Sequence, residues 1–298
     1  MKNRIYILTL VLLLAPGLSP AVNLDSLWGV WNDKTQADTN RLKAMNKIAW
    51  DGYLFSQPDS ALYFAELQYK FARIVGNKKW MANAYNLQGV SFAIRGNYGQ
   101  ALLYYNQSLN IREEIGDNFE IAKSYGNIGS AYRDQGNYGQ ALSYYSKSLK
   151  IFEEISNKRR LADSYIKIGA IYSIQGNHEQ ALAHYGKCLK IFEELDDKKG
   201  LADSYNNIGN IYKNQGNYKQ ALEDHSKSLK LKEEIGDVNG MADSYNNIGI
   251  IYQEQGNYKE ALQYFQKCLE ITEEIGDKRG MAISLGNTGS IYTTQGNY

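Results

Sequence analysis

Several features that would narrow a function are scarce in this chain. Proline occurs three times, and Pro16 and Pro20 both fall in the first twenty residues, so nearly all of the remaining chain is free of helix breakers. There are two cysteines, Cys188 and Cys268, and three histidines, His178, His184 and His225. Their spacing fits no zinc motif, and no P-loop, nucleophile elbow or dinucleotide fingerprint is present. The formal net charge is only +1, which removes the basic footprint expected of a nucleic-acid or anionic-membrane partner. The longest apolar run, Ile5 to Leu14, spans ten residues with Thr9 inside it, short of the roughly 20 a membrane span needs. These absences argue against an enzyme and against a metal or cofactor.

That apolar run has a use of its own. Lys2 and Arg4 precede it, Ala15-Pro16-Gly17 breaks it, and Ser19-Pro20-Ala21 places small residues before a cleavage point after Ala21. Residues 1–21 therefore read as a secretory signal peptide. The expected location is periplasmic or extracellular; a cytoplasmic protein requires this reading to be wrong.

What is abundant is repetition. Shifted by 40 residues, the sequence lands on itself: Tyr85, Tyr125, Tyr165, Tyr205 and Tyr245 align, as do Gly89, Gly129, Gly169, Gly209, Gly249 and Gly289, and Ala101, Ala141, Ala181, Ala221 and Ala261. Within residues 198–237, "LADSYNNIGNIYKNQ" carries apolar residues at helical spacing. Gly216 fits the left-handed stop of that helix, and Asn217 with Gln220 fits an amide version of a capping box that starts the next. Each unit is thus two helices. A glycine inside a helix costs about 1 kcal/mol against alanine, so its recurrence implies close approach of the second helix, with the small alanine as its expected counterpart.

Tyr205, Ile208, Gly209, Tyr212, Gly216, Tyr218, Ala221, His225 and Ser228 fall where the tetratricopeptide repeat (TPR) family places its signature residues. The unit resembles the longer TPR subclass, since it has Glu233 where the 34-residue repeat carries proline. The resemblance implies an all-α fold: a right-handed α-solenoid with six full repeats (38–77, 78–117, 118–157, 158–197, 198–237, 238–277) and a half repeat at 278–298. Residues 22–37 are expected to form an N-terminal capping segment. The first unit is degenerate, with Ile48-Ala49 at the Leu-Gly place and Pro58 at the first position of its second helix.

Candidate sites weigh against repeat position. The three histidines stand where other units have tyrosine, and Cys188 and Cys268 where others have Ser108, Ser148 and Ser228. All five read as packing residues, and the cysteines, two repeats apart, are too distant to pair. The acidic pairs near second-helix ends read as a solvated face, with Lys150/Glu154 and Lys190/Glu194 as i,i+4 partners. Asparagine is more informative because it is a poor helix former. Asn127, Asn207, Asn247 and Asn287 form a ladder one repeat apart, broken at Lys167, with Asn206, Asn210 and Asn246 beside it. First helices line the concave face of a solenoid, where an amide can hold an extended peptide backbone; the other reading is that these amides bond between neighbouring helices. Lys123, Arg133 and Lys213 flank them, with Asp203, Asp243 and Glu254 of opposite sign.

The expected function is a non-catalytic scaffold binding a peptide or partner protein in the concave groove. The alternative is the exported sensory part of a membrane signalling enzyme, since "DTNRLKAMNKIAW" followed by "PDSALYFAELQ" resembles the start of bacterial exported TPR regions that precede a kinase or cyclase domain. "QGNY", elsewhere a turn into a second helix, closes the sequence. The expectation is therefore a truncated chain, with any membrane tether lying in a missing C-terminal region.

Overall fold

The computed structural model describes residues 23–296. The expected signal peptide and the last two residues lie outside the described residues. What is described is all-α: α1 (Leu24–Asn32), α2 (Asp38–Lys47), a π-helical turn (Ile48–Tyr53), α3 (Pro58–Ile74), α4 (Lys78–Ile94), α5 (Tyr98–Ile115), α6 (Asn118–Asp134) and α7 (Tyr138–Glu154). It continues with α8 (Lys158–Ile174), α9 (His178–Glu194), α10 (Lys198–Asn214), α11 (Tyr218–Ile235), α12 (Val238–Glu254), α13 (Tyr258–Glu274) and α14 (Lys278–Thr294). Each helix packs on its neighbours in chain order, which makes a stack of hairpins. The six expected hairpins and the extra first helix are all present.

The turns follow the sequence signals, with one difference. Gly216 takes φ +73°, and Asn217 Oδ1 accepts a bond from the Gln220 backbone at 3.3 Å. Gln220 does not reciprocate; its amide reaches forward to Asp224 at 3.2 Å, so only half of the capping box forms. At Asn257 the side chain turns to Gln255 and caps nothing. Between repeats the same left-handed turn is imposed even on Ser156 and Asp196.

Close approach within each hairpin is real, but the glycine's partner is an aromatic ring. A Cβ placed on Gly129 would sit 2.7 Å from the Tyr145 ring, and on Gly249 2.6 Å from the Phe265 ring. Ala141 contributes its backbone carbonyl, 3.3 Å from the same point, and its methyl is not the contact. The alanine is small because it is fully buried where the two helices cross. The Ser/Cys position also acquires a reason: Ser108 and Ser228 each donate to a first-helix carbonyl, Ala82 and Ala202, at 2.8 Å. Cys188 makes the same contact to Ala162 at 3.4 Å.

Two further details differ from the sequence reading. Lys150 and Glu154 approach to 3.9 Å, but Glu194 pairs with Lys158 at 2.8 Å and not with Lys190. The same clasp, from the start of a first helix to the end of its own second helix, recurs as Lys78–Glu114 and Lys198–Glu234. These pairs are exposed and screened by solvent, so they add little to stability. At the other end, α1 is pinned by Trp28 against Phe64 and Trp31 against Phe71, with the Arg41 guanidinium 4.3 Å from the Phe71 ring.

The glycine contact makes a paired prediction. Gly129→Ala must displace the Tyr145 ring and should cost about 2 kcal/mol by overpacking. Gly289 aligns with Gly129 but has nothing within 4 Å, so Gly289→Ala should stabilise α14 by about 1 kcal/mol through helix propensity alone. Urea unfolding of both variants checks this; a shift of the same sign in both would sink the ring-contact account.

Candidate functional site

The first helices α4, α6, α8, α10, α12 and α14 stand side by side along one face. Their asparagines meet in pairs. Asn127 Nδ2 donates to Asn86 Oδ1 at 2.8 Å, Asn247 to Asn206 at 3.0 Å, and Asn287 to Asn246 at 2.8 Å. The offset is 41 residues, one more than the repeat, because the facing sides of two adjacent helices carry different positions. The expected ladder of Asn127, Asn207, Asn247 and Asn287 is therefore not a chain of mutual bonds. Three of them, Asn127, Asn247 and Asn287, reach instead to the preceding residue position of the helix before, and this is the inter-helix bonding that stood as the second reading. Each pair is partly buried and uses one N–H and one oxygen. It leaves the donor's oxygen and the acceptor's NH2 group without a bonded partner among the described residues, a donor and an acceptor that together complement one peptide unit.

Where the pairing fails, its residues change type. Opposite Asn207 stands Ile166, which offers no amide. Between α6 and α8 the two positions are Gly126 and Lys167. The Lys167 ammonium fills the space above the glycine, 3.4 Å from where a Cβ would be and 5.7 Å from the Tyr145 ring centre. Burial lowers its pKa, with Asp163 opposing. Of the other expected residues, Lys123 is held by Glu120 at 2.7 Å and Arg133 by its neighbour Asp134 at 2.7 Å. Asn210 and Lys213 are half-buried on α10.

A hollow at the N-terminal end of this face measures about 510 Å³. Its walls include Trp50, Asn83, Asn86, Arg112, Lys123 and Asn127. Trp50 is carried by the π-helical turn, a conformation frequent at functional sites. Arg112 is only 4% exposed. It ion-pairs with Glu120 at 2.8 Å and donates to Ser124 Oγ at 2.7 Å, while its Nε has no partner. Sequence reasoning missed this hollow. The signal was available: Arg112 stands at the repeat position of Phe152 and Phe192, and a buried cation in a phenylalanine slot is costly unless it is paired.

The two thiols and His225 are sealed. Cys188 and Cys268 are buried and free, and burial pushes the Cys188 thiol up to about 12 and raises that of Cys268, which holds both as thiols. His225 fills the aromatic slot against Gly209, fully buried, with neither ring nitrogen bonded. His184 lies against Tyr172 and Tyr165.

A family model described as "Tetratricopeptide repeat" matches residues 80–154, 120–194, 160–234, 200–274 and 240–298. A search of curated proteins gives no match. Among solved structures, BtubC from P. vanneervenii is similar at 18% identity and TM-score 0.66, over 75% of this chain and 94% of that one. NprR in complex with its cognate peptide NprX is similar at 18% and 0.58, over 83% and 71%. Aspartyl phosphate phosphatase F from Bacillus subtilis is similar at 18% and 0.63, over 84% and 74%. At these identities the likeness establishes the fold alone.

His225 carries a pH prediction. Burial, with Lys213 and Lys232 nearby, pushes its pKa down to about 4, below the 6.5 of an unfolded histidine. Unfolded chains take up a proton below pH 6.5 that folded chains refuse until about pH 4. Stability is therefore whole above pH 6.5 and falls as the pH drops towards 4, by up to about 3 kcal/mol from this residue. His225→Phe supplies the ring that Phe265 already provides at the aligned position, and should remove that part of the slope. Urea midpoints at pH 7 and pH 4.5 test it, and equal acid losses in wild type and variant would refute it.

Proposed function

Because the chain belongs to the tetratricopeptide repeat family, we propose that it is a non-catalytic scaffold that binds an extended peptide or partner-protein segment along its concave face. One observation carries this reading: three asparagine pairs recur on successive first helices, each with an unused amide donor and acceptor. A packing role needs one bond per pair, and a leucine pair would serve packing better. Unused amide groups at one-repeat intervals suit a ligand whose own donors and acceptors also recur, which an extended backbone has whatever its sequence. The NprR complex, in which a peptide is bound on the same fold, supports it.

The non-catalytic part rests on the chemistry of the groove. Both thiols are held protonated, and the one histidine with a strongly displaced pKa is walled off from solvent. The fold does not decide the matter, since one similar structure is a phosphatase by name. We further propose that the protein acts after export, on the strength of residues 1–21.

An unbiased displayed peptide library, selected against the folded chain, tests the reading. Selected peptides should bind, and their affinity should fall about tenfold in Asn206→Ala or Asn247→Ala, the equivalent of one or two lost hydrogen bonds. Failure to select any peptide, or affinities indifferent to both substitutions, would defeat it.

A further inference from the structure

The chain is nearly neutral, with 33 basic and 32 acidic side chains, yet its groove is not. Between α6 and α8 lies a hollow of about 120 Å³ whose wall contains Lys123, Arg160 and Lys167 against a single acid, Asp163. Lys123 and Arg160 are tied to Glu120 and Asp163. Lys167 has no ion-pair partner among the described residues, and burial costs it part of its affinity for the proton.

Further along, the sign reverses. A hollow of about 200 Å³ between α12 and α14 is walled by Asp243 and Asp277, and no basic side chain lines it. One repeat earlier, Asp203 occupies the position of Asp243 on α10. Partial burial raises both carboxyls, against the pull of Lys232. Lys232 does not neutralise them by contact: its ammonium is spent on the Gly240 carbonyl and the Ser244 hydroxyl, each at 3.0 Å. Asp277 caps α14 through the Arg279 backbone, which leaves Asp203 and Asp243 without a bonded partner among the described residues. Lys199, one turn before Asp203 on α10, also pulls on that carboxyl, whereas Asp243 has Asn239 at the same place; Lys213 lies ten residues further along α10 than Asp203, roughly 15 Å away at helical rise.

An asparagine bond joins α10 to α12, and Ile166 of α8 packs on the cluster that holds Ile208 and Ile211 of α10, so successive first helices stand about 10 Å apart. From Lys167 on α8 to Asp243 on α12 is two such steps, roughly 20 Å, the reach of about six residues of extended chain. Unpaired charges of opposite sign are thus held at a fixed separation on the surface read here as the peptide site.

We propose that the groove selects a segment that is itself polar end to end: acidic where it crosses α6 and α8, basic about six residues away where it crosses α10 and α12. The inference rests on the peptide-binding reading and adds a ligand class and a direction to it. Backbone amides hold the chain regardless of sequence, and the two charge sites fix which way it runs. Reversed, the same peptide would face like charge at both ends.

Three dansyl-labelled twelve-residue peptides on a Ser/Asn/Ala background test this: one with two Glu and two Lys six residues apart, one with four Glu, one with four Lys. By anisotropy at low salt the dipolar peptide should bind about tenfold more tightly than either other, the yield of two partly buried ion pairs. All four tryptophans, Trp28, Trp31, Trp50 and Trp80, precede α6 in the chain, so a dansyl on the acidic end should accept their emission more strongly than one on the basic end. Lys167→Gln with Asp243→Asn should abolish the preference, and Lys167→Glu with Asp243→Lys should reverse the end that accepts emission, with circular dichroism confirming intact helix in both. Three peptides bound alike, or equal transfer from both ends, would overturn the polarity. If library-selected peptides bind at the asparagine pairs but carry no such charge pattern, the polarity fails and the peptide site stands. If no peptide of any kind binds, both fall together.

Discussion

Everything in this structure depends on one contact, the seating of an aromatic ring on a helical glycine. In hairpin after hairpin the ring of the second helix lies so close to the first that no side chain could stand between them: Tyr105 on Gly89, Tyr145 on Gly129, Tyr185 on Gly169, His225 on Gly209, Phe265 on Gly249. That contact sets how near the two helices come. The buried alanine then fixes where they cross, and the serine or cysteine ties them by a bond to a main-chain carbonyl. With hairpin geometry fixed five times over, the stacking of hairpins follows, and the concave face is what the first helices have left after packing. The propensity lost at each glycine is offset by burial of a ring, which is worth about 2 kcal/mol or more.

The slot tolerates chemistry as long as volume is kept. Tyrosine, histidine and phenylalanine all occupy it, and Tyr145 alone among the bonds described here finds a hydroxyl partner there, Ser130 at 3.1 Å. Histidine fits by shape and fails by polarity, since it brings two nitrogens to a place that offers no bond. This is the behaviour expected of a site that selects on packing and is indifferent to function. The contrast with the groove is direct. There the repeat positions change charge from one unit to the next, as in Asn83, Lys123, Asp163, Asp203, Asp243 and Ile283, because nothing in the hairpin constrains them.

That division explains what was legible in the sequence. The helices from Lys78 onward and their turns follow from residues that recur every 40 positions, and recurrence exposes them. The glycine's true partner was written at a constant offset of 16 in every unit, but an offset within one repeat says nothing about which side of the second helix faces inward. The asparagine pairs were harder to see. A period of 40 aligns equivalent residues, whereas physical neighbours on adjacent helices are 41 apart, so the eye that finds the repeat looks one position away from the bond. The hollow at Trp50 and Arg112 was least legible, because it is built where the repeat is broken and draws on the degenerate first unit.

Arg112 and Lys232 show how a solenoid can carry a buried charge without losing its frame. Both stand in a slot that Phe152 and Phe192 fill with rings, and both reach across the repeat boundary to the same two places. Arg112 bonds the Glu120 carbonyl and the Ser124 hydroxyl, and Lys232 bonds the Gly240 carbonyl and the Ser244 hydroxyl. The receiving hydroxyl recurs at 164, 204 and 284 and is missing at Ala84, so from α6 onward the acceptor pair exists whether or not a cation arrives to use it. A cation in this slot therefore meets prepared acceptors and avoids the full desolvation cost of an unpaired buried ion. What differs is the charge beside it. Arg112 has Glu120 within 2.8 Å and is neutralised locally, whereas Lys232 has carboxylates that are near but unbonded. The same slot is thus balanced at Arg112, beside the N-terminal hollow, and at Lys232 leaves Asp203 and Asp243 unpaired. Frame and charge are set by different residues of one repeat, which is how a nearly neutral chain can present a groove of two signs.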